Sequence, residues 1–288
     1  MTRARDLLAP LSPAHRRWVR FLHSLPLDVD ELPSPLPEPG PGDFIICGCP
    51  RTGTTLATAA LVQPPHILTV MEPWDGMRLP PQALFASLRS EIESTGRLAR
   101  GRLDIDALQS AGVARWRSED GQDHAVATAV GWKLGVKWPG YWRFLSRLAT
   151  TRFVICVRDP VEVVASLALQ TGPGRVGLER DTRFDRSLNR TLKEATADPE
   201  IRRVALFDYV HERLLPHFDR PNVFVLRYER WFADRDALLD ELSTFLDVDV
   251  RRVPVRVERG PHDEGQLTRA RALVGAHCRT AAALGYSV

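Results

Sequence analysis

The chain has 288 residues, 44% apolar and 26% charged; this suffices for a sizeable core and excludes a disordered, collagenous or coiled-coil protein. Lys and Arg outnumber Asp and Glu by 39 to 36, a formal net charge of +3, too small for a general nucleic-acid binder, so any basic function must be local. Four cysteines (Cys47, Cys49, Cys156, Cys278) are too few for a disulfide scaffold, and no apolar run reaches the ~18 residues that span a bilayer or resembles a signal-peptide core. A reducing, cytoplasmic setting without stable membrane insertion is therefore expected.

Residues 5–24 are predicted helical, with Leu7, Leu8, Leu11, Trp18, Phe21 and Leu22 on an irregular apolar face. The proline-rich stretch 25–42 reads as an extended connector, so residues 1–42 precede a single α/β unit over 43–288. Phe44–Cys47 is a short apolar run bounded by glycines and prolines, the pattern of a buried parallel strand. A loop over Gly48–Gly53 and a helix from Thr54 to about Val62 follow. Ile67–Met71 is a second strand candidate, residues 81–98 a helix, and 130–136 a strand or an irregular approach to Pro139. Helical spacing returns over 141–148, and Arg152–Val157 is a strand. Asp159-Pro160 then opens a helix to about Leu169, with proline at the helix start. Further helices are predicted at 185–196, 200–216, 235–246 and 264–284, with a strand at Asn222–Leu226. Strands alternating with helices imply a central parallel sheet flanked by helices on both faces.

Two segments carry the chemistry. In FIICGCPRTGTTLATAAL, residues 44–61, a buried strand runs through a glycine-bounded loop into a helix, whose first N–H groups and positive dipole end favour an anion. Gly48-x4-Gly53 is P-loop spacing, but Thr54-Thr55 stands where Lys-Ser/Thr would follow, so the cation available is Arg51, inside the loop. In FVICVRDPVEVVASL, residues 153–167, a strand delivers Arg158 at its carboxyl end, and Ser166 lies eight residues on. The two can converge on one ligand if Arg158 folds back along the helix, and its forked donors suit phosphate oxygens. A structural Arg–Asp pair at a helix start is the alternative.

Together, Pro50-Arg51-Thr52-Gly53-Thr54-Thr55 and Val157-Arg158-Asp159-Pro160 with Ser166 resemble the sulfotransferases that use 3′-phosphoadenosine 5′-phosphosulfate. The first segment is similar to their 5′-phosphosulfate loop in its Pro-Arg-Ser-Gly-Thr-Thr form, with Thr52 replacing the serine; the second is similar to their 3′-phosphate motif. The resemblance spans roughly residues 43–232 and implies a P-loop NTPase-like three-layer fold and transfer of a sulfuryl group to an acceptor hydroxyl or amine. It implies that Arg51, Thr52, Gly53, Thr54 and Thr55 hold the 5′-phosphosulfate, that Arg158 and Ser166 hold the 3′-phosphate, and that Tyr228, in Arg227-Tyr228-Glu229, lies near the nucleotide. The two basic pockets would then grip opposite ends of a doubly phosphorylated adenosine. The stretch 258–271 is a poor match to the C-terminal nucleotide segment of the cytosolic enzymes, which leaves ligands there open.

Sulfuryl transfer needs a base for the acceptor, a cation for the leaving phosphate and in-line alignment; it requires no metal in principle. Glu72, closing the second strand candidate beside the phosphate loop, is the candidate base. It stands 21 residues past Arg51, as does the catalytic Glu of the similar tyrosine sulfotransferases. A cap on the turn before Pro73 is its other reading, and Asp75 is the reserve; His66 and His124 are weaker. Lys137, in GWKLGVKWPGYW, resembles the family's lysine that reaches the transferring group and is preferred over Lys133, although period-two spacing puts both on one side of a strand. Trp74, Trp132, Trp138, Tyr141 and Trp142 line an acceptor pocket or belong to the core. The acceptor class is a small molecule, lipid or saccharide. A P-loop kinase or NTPase and a non-catalytic nucleotide-binding protein of the same fold are the rival readings.

Overall fold

The computed structural model describes residues 32–63, 66–71, 79–95, 129–133, 142–170, 186–250 and 263–287. The predicted helix over 5–24, residues 96–98 and 134–136 of the predicted elements, and the polar region 101–128 lie outside the described residues.

Among the described residues five strands form one parallel sheet: β1 (Phe44–Gly48), β2 (Ile67–Met71), β3 (Ala129–Lys133), β4 (Arg152–Val157) and β5 (Val223–Arg227), in the order β2-β3-β1-β4-β5. β1 is central and buried along its whole length, which is why its sequence is an unbroken apolar run. Successive side chains point to opposite faces. Phe44 and Ile46 join one core with Leu56, Ala57 and Ala60 of α1 (Thr54–Ala60), Trp231 of α7 (Arg230–Ala233) and Leu238, Leu242 and Leu246 of α8 (Arg235–Leu246). Ile45 and Cys47 join the other core, with α2 (Pro81–Thr95), α3 (Trp142–Arg147), α4 (Pro160–Gln170), α5 (Arg186–Ala195) and α6 (Pro199–Leu214). The result is the expected three-layer arrangement of a parallel sheet between helices. α9 (Glu264–His277) packs outside, its Ala270 and Val274 against Val161, Val164 and Ala165 of α4.

The topology fixes where a ligand can sit. From β1 the chain leaves toward β2, and from β4 toward β5, in opposite directions along the sheet. The crevice between the carboxyl ends of β1 and β4 is thus the switch point at which open α/β sheets bind ligands.

Two elements differ from the sequence reading. The helix predicted over 264–284 ends at His277, Cys278 is extended, and only a 3₁₀ turn forms at Ala282–Leu284. The cause is tertiary: the buried carboxylate of Asp208 on α6 accepts the N–H groups of Arg279 and Thr280, taking them out of a helical ladder. The short helix α7, between β5 and α8, has no counterpart in the sequence reading; at four residues it is too brief to show a period. The connector, where described, has no regular structure, yet it is anchored: Leu36 is buried and the Glu38 carboxylate accepts N–H groups of Thr150 and Thr151 at 3.1 and 3.0 Å.

Candidate active site

The loop after β1 takes its shape from its backbone. Gly48 has φ 152°, and a Cβ there would lie 2.5 Å from the Cys156 carbonyl oxygen on β4. Arg51 has φ 73°, a left-handed conformation uncommon outside glycine that costs on the order of 1–3 kcal/mol and is typical of functional sites. Gly53 has φ 93°, and a Cβ there would lie 2.5 Å from Cδ2 of Tyr228. Thr52 is fully buried; its hydroxyl donates to the Cys49 carbonyl at 2.7 Å and closes the turn. Gly53 supplies no side-chain cap to α1, and the first helical bond runs from Ala57 N–H to the Gly53 carbonyl. Thr54 is buried in that first turn and Thr55 half-buried.

The turn after β4 is shaped by side chains instead. Asp159 Oδ1 accepts the Val161 N–H at 2.7 Å, a cap on the turn, and Pro160 is the first helical residue, the start read from the sequence. Arg158, only 6% exposed, donates through Nε and Nη2 to Glu162 Oε2 at 2.8 and 2.6 Å, one helical turn on. Its guanidinium carbon lies 4.1 Å from the centre of the Tyr228 ring, within cation–π range. Tyr228, itself 8% exposed, is thus in contact with Arg158 and against Gly53.

The two turns meet. Arg51 Nε donates to Ser166 Oγ at 2.8 Å across α4, and Arg158 Nη1 donates to the Arg51 carbonyl at 3.2 Å. Arg158 does fold back along the helix, the condition for sharing a ligand with Ser166, but only as far as Glu162. The carboxylate of Glu162, one turn closer, takes Arg158, and Ser166 is reached by the loop arginine. The two basic groups are contiguous at the switch point. Desolvation and then the like charge of Arg158 lower the pKa of the Arg51 guanidinium, while Tyr228 counteracts them. Two arginines in contact at a strand end, one with a strained backbone, form a site that an anion would stabilise. Burial raises the pKa of Asp159, with Glu162 and Glu229 adding to the effect.

Other candidates stand apart. Among the described residues β2 is an edge strand, with β3 between it and β1, so Met71 lies two strand spacings, about 10 Å, from β1. The end of β2 is therefore not directly beside the loop, as the sequence reading had it, because β3 inserts between the two strands. Glu72, Trp74 and Asp75, and likewise Lys137, Trp138, Tyr141 and His124, lie outside the described residues. Lys133 ends β3 in register with Ile46 and Met71, one strand from the loop. His66 is exposed in the turn before β2. Trp142 packs edge-on against Tyr209 at 5.6 Å, in the core beside α6. Glu162 and Glu229 stand in the quoted motifs but carry no role in the sequence reading; that of Glu162 was recoverable from the i,i+4 charge rule once a helix from Pro160 was accepted.

A family model described as the sulfotransferase family matches residues 42–252. The chain belongs to the sulfotransferase family. The matched range contains both arginine turns and all five strands. Among solved structures, the sulfotransferase domain from the Synechococcus PCC 7002 olefin synthase is 13% identical over 90% of this chain and 99% of its own, with a TM-score of 0.46. A sulfotransferase domain from the curacin biosynthetic pathway is 14% identical over 87% and 100%, with a TM-score of 0.45. Mouse sulfotransferase SULT7A1, solved with PAP, is 13% identical over 89% and 70%, with a TM-score of 0.35. Among curated proteins the chain has no match. No helix among the described residues is long and apolar enough to cross a membrane.

Proposed function

We propose that this sulfotransferase family member moves a sulfuryl group from 3′-phosphoadenosine 5′-phosphosulfate to an acceptor hydroxyl or amine, releasing adenosine 3′,5′-bisphosphate. The observation that carries the reading is the junction of Arg51, Ser166 and Arg158 at the β1–β4 switch point, with Arg51 Nε 2.8 Å from Ser166 Oγ. The residues fit a doubly phosphorylated nucleotide: two guanidinium groups and a hydroxyl converge, and the glycine at 53 lets the loop lie against an aromatic ring.

When bound, the nucleotide supplies the activated sulfuryl group. In this reading Arg51 and the loop N–H groups over Gly53–Thr55 neutralise charge on the departing phosphate, a fixed electrostatic role of the oxyanion-hole kind. Arg158 and Ser166 hold the 3′-phosphate, and the buried Tyr228 ring backs both the loop and Arg158. Thr52 donates both its N–H and its hydroxyl to the Cys49 carbonyl, at 3.2 and 2.7 Å, and so shapes the loop rather than touching the phosphate. Glu72 is proposed as the base that takes the acceptor proton and Lys137 as the second cation; neither role calls on a metal. The acceptor is a small molecule, lipid or saccharide in a cytoplasmic setting, with no nucleic-acid partner.

Calorimetry with adenosine 3′,5′-bisphosphate and with ATP, followed by a radiosulfate transfer screen over aryl alcohols, saccharides and lipids, tests the reading. Preference for the bisphosphate and label transfer without added Mg²⁺ are expected. Tight ATP binding with indifference to the bisphosphate would sink it in favour of a kinase. Glu72→Ala is expected to abolish label transfer while bisphosphate affinity stays within about twofold; normal turnover removes the base assignment.

A further inference from the structure

One carboxylate joins the C-terminal tail to the turn that presents Arg158. Glu229 follows Tyr228 at the end of β5. Its Oε1 accepts the Asp159 backbone N–H at 2.8 Å, and its Oε2 accepts the Tyr286 hydroxyl at 3.1 Å. That N–H sits between the β4 ladder and the first turn of α4, where no regular backbone partner exists, so the carboxylate fills a gap that secondary structure leaves. Tyr286 is held in turn. Asp208, 1% exposed, accepts from the N–H groups of Arg279 and Thr280 and from the Thr280 hydroxyl. Leu284 is buried in the core, and its carbonyl accepts from Arg227 Nη2 at 2.8 Å. Chain ends fray unless tied down, and this one is tied at three points, the last of them leading to Arg158.

We propose that Glu229 and Tyr286 are positioning residues for the 3′-phosphate side of the nucleotide site: the tail fixes the Glu229 carboxylate, the carboxylate fixes the Asp159 N–H, and this fixes the turn that aims Arg158. The proposal rests on the reading of Arg158 as a 3′-phosphate ligand. It gives the C-terminal segment a part in nucleotide selection without touching the nucleotide. A hydrogen bond to an ionised carboxylate is among the stronger neutral-donor bonds, so loosening it is felt at the next residue. Burial, and then the Glu229 charge, raise the pKa of the Tyr286 hydroxyl, which keeps it a donor at any working pH.

The test compares adenosine 3′,5′-bisphosphate with adenosine 5′-monophosphate by calorimetry on the full chain and on Tyr286→Phe, Glu229→Ala and Glu229→Gln. Tyr286→Phe removes one oxygen, and its thermal melt reports that the fold persists. The wild type is expected to prefer the bisphosphate. Tyr286→Phe should weaken bisphosphate binding roughly three- to tenfold, the scale of one net hydrogen bond, and leave the monophosphate unchanged. Glu229→Ala should lose more of the same preference, and Glu229→Gln, which keeps an acceptor for the Asp159 N–H, should recover part of it. Parallel losses for both nucleotides make the tail a general prop and overturn the proposal, as do unchanged affinities. A wild type indifferent to the 3′-phosphate overturns the Arg158 reading and the proposal together.

Discussion

The turn after β1 and the turn after β4 each end a buried parallel strand and each carry an arginine to the same crevice, but they are built differently. The first bends through left-handed backbone at Arg51 and Gly53, and its tightest neighbours are a carbonyl of β4 and the Tyr228 ring. The second keeps ordinary backbone and is held by carboxylates: Asp159 caps the helix, Glu162 pairs with the guanidinium and Glu229 takes the stray N–H. A turn specified by backbone stereochemistry tolerates no added Cβ, whereas a turn specified by side-chain charge tolerates added bulk and fails when a charge is removed. The difference also separates roles in the proposed reaction. In that proposal the strained Arg51, whose side chain reaches the surface, is assigned to the transferring group, and the paired, buried Arg158 to binding.

Substitutions at each turn sharpen that contrast. Arg51→Ala is expected to have the largest effect, lowering kcat by at least about 100-fold in the label-transfer assay, the scale of losing one preorganised donor in a transition state. A loss confined to KM would make Arg51 a binding group like its neighbour. Gly53→Ala comes next. With φ at 93° and Tyr228 in the way, the unfolding free energy in urea should drop by about 2–3 kcal/mol. A drop under ~0.5 kcal/mol would mean that the ring moves aside freely and the loop is not fixed by its backbone. Arg158→Ala should weaken bisphosphate binding about 10- to 100-fold in calorimetry while kcat at saturation changes little. A kcat loss as large as that of Arg51→Ala would erase the division between the turns. Ser166→Ala is the smallest, a few-fold in bisphosphate affinity, because it removes a single uncharged hydroxyl while both guanidinium groups remain. No change would leave Ser166 as packing alone.

The element order, the sheet between two helical layers and the two arginine turns were legible in the chain. β4 and α8 occupy the very residues expected, since long apolar runs and clean amphipathic periods depend on local pattern. Boundaries failed where a distant group intervened. The expected helix 264–284 stops at His277 because Asp208, some seventy residues earlier, captures the N–H groups that would have extended it. The end of the second strand was expected beside the loop from chain order, but strand order in the sheet cannot be read from chain order, and β3 stands between β2 and β1.

The sequence alone determined which groups bear positive charge at strand ends, that the first loop can adopt left-handed backbone, and that a helix starts at Pro160. These are properties of single residues and their immediate neighbours. Only the tertiary structure decided which partner each arginine takes: Ser166 for Arg51, Glu162 for Arg158, and Glu229 for the backbone between them. Side chains can satisfy a guanidinium or an N–H from any of several positions within reach, and the choice among them is made when the packed sheet brings β1, β4 and β5 to one edge.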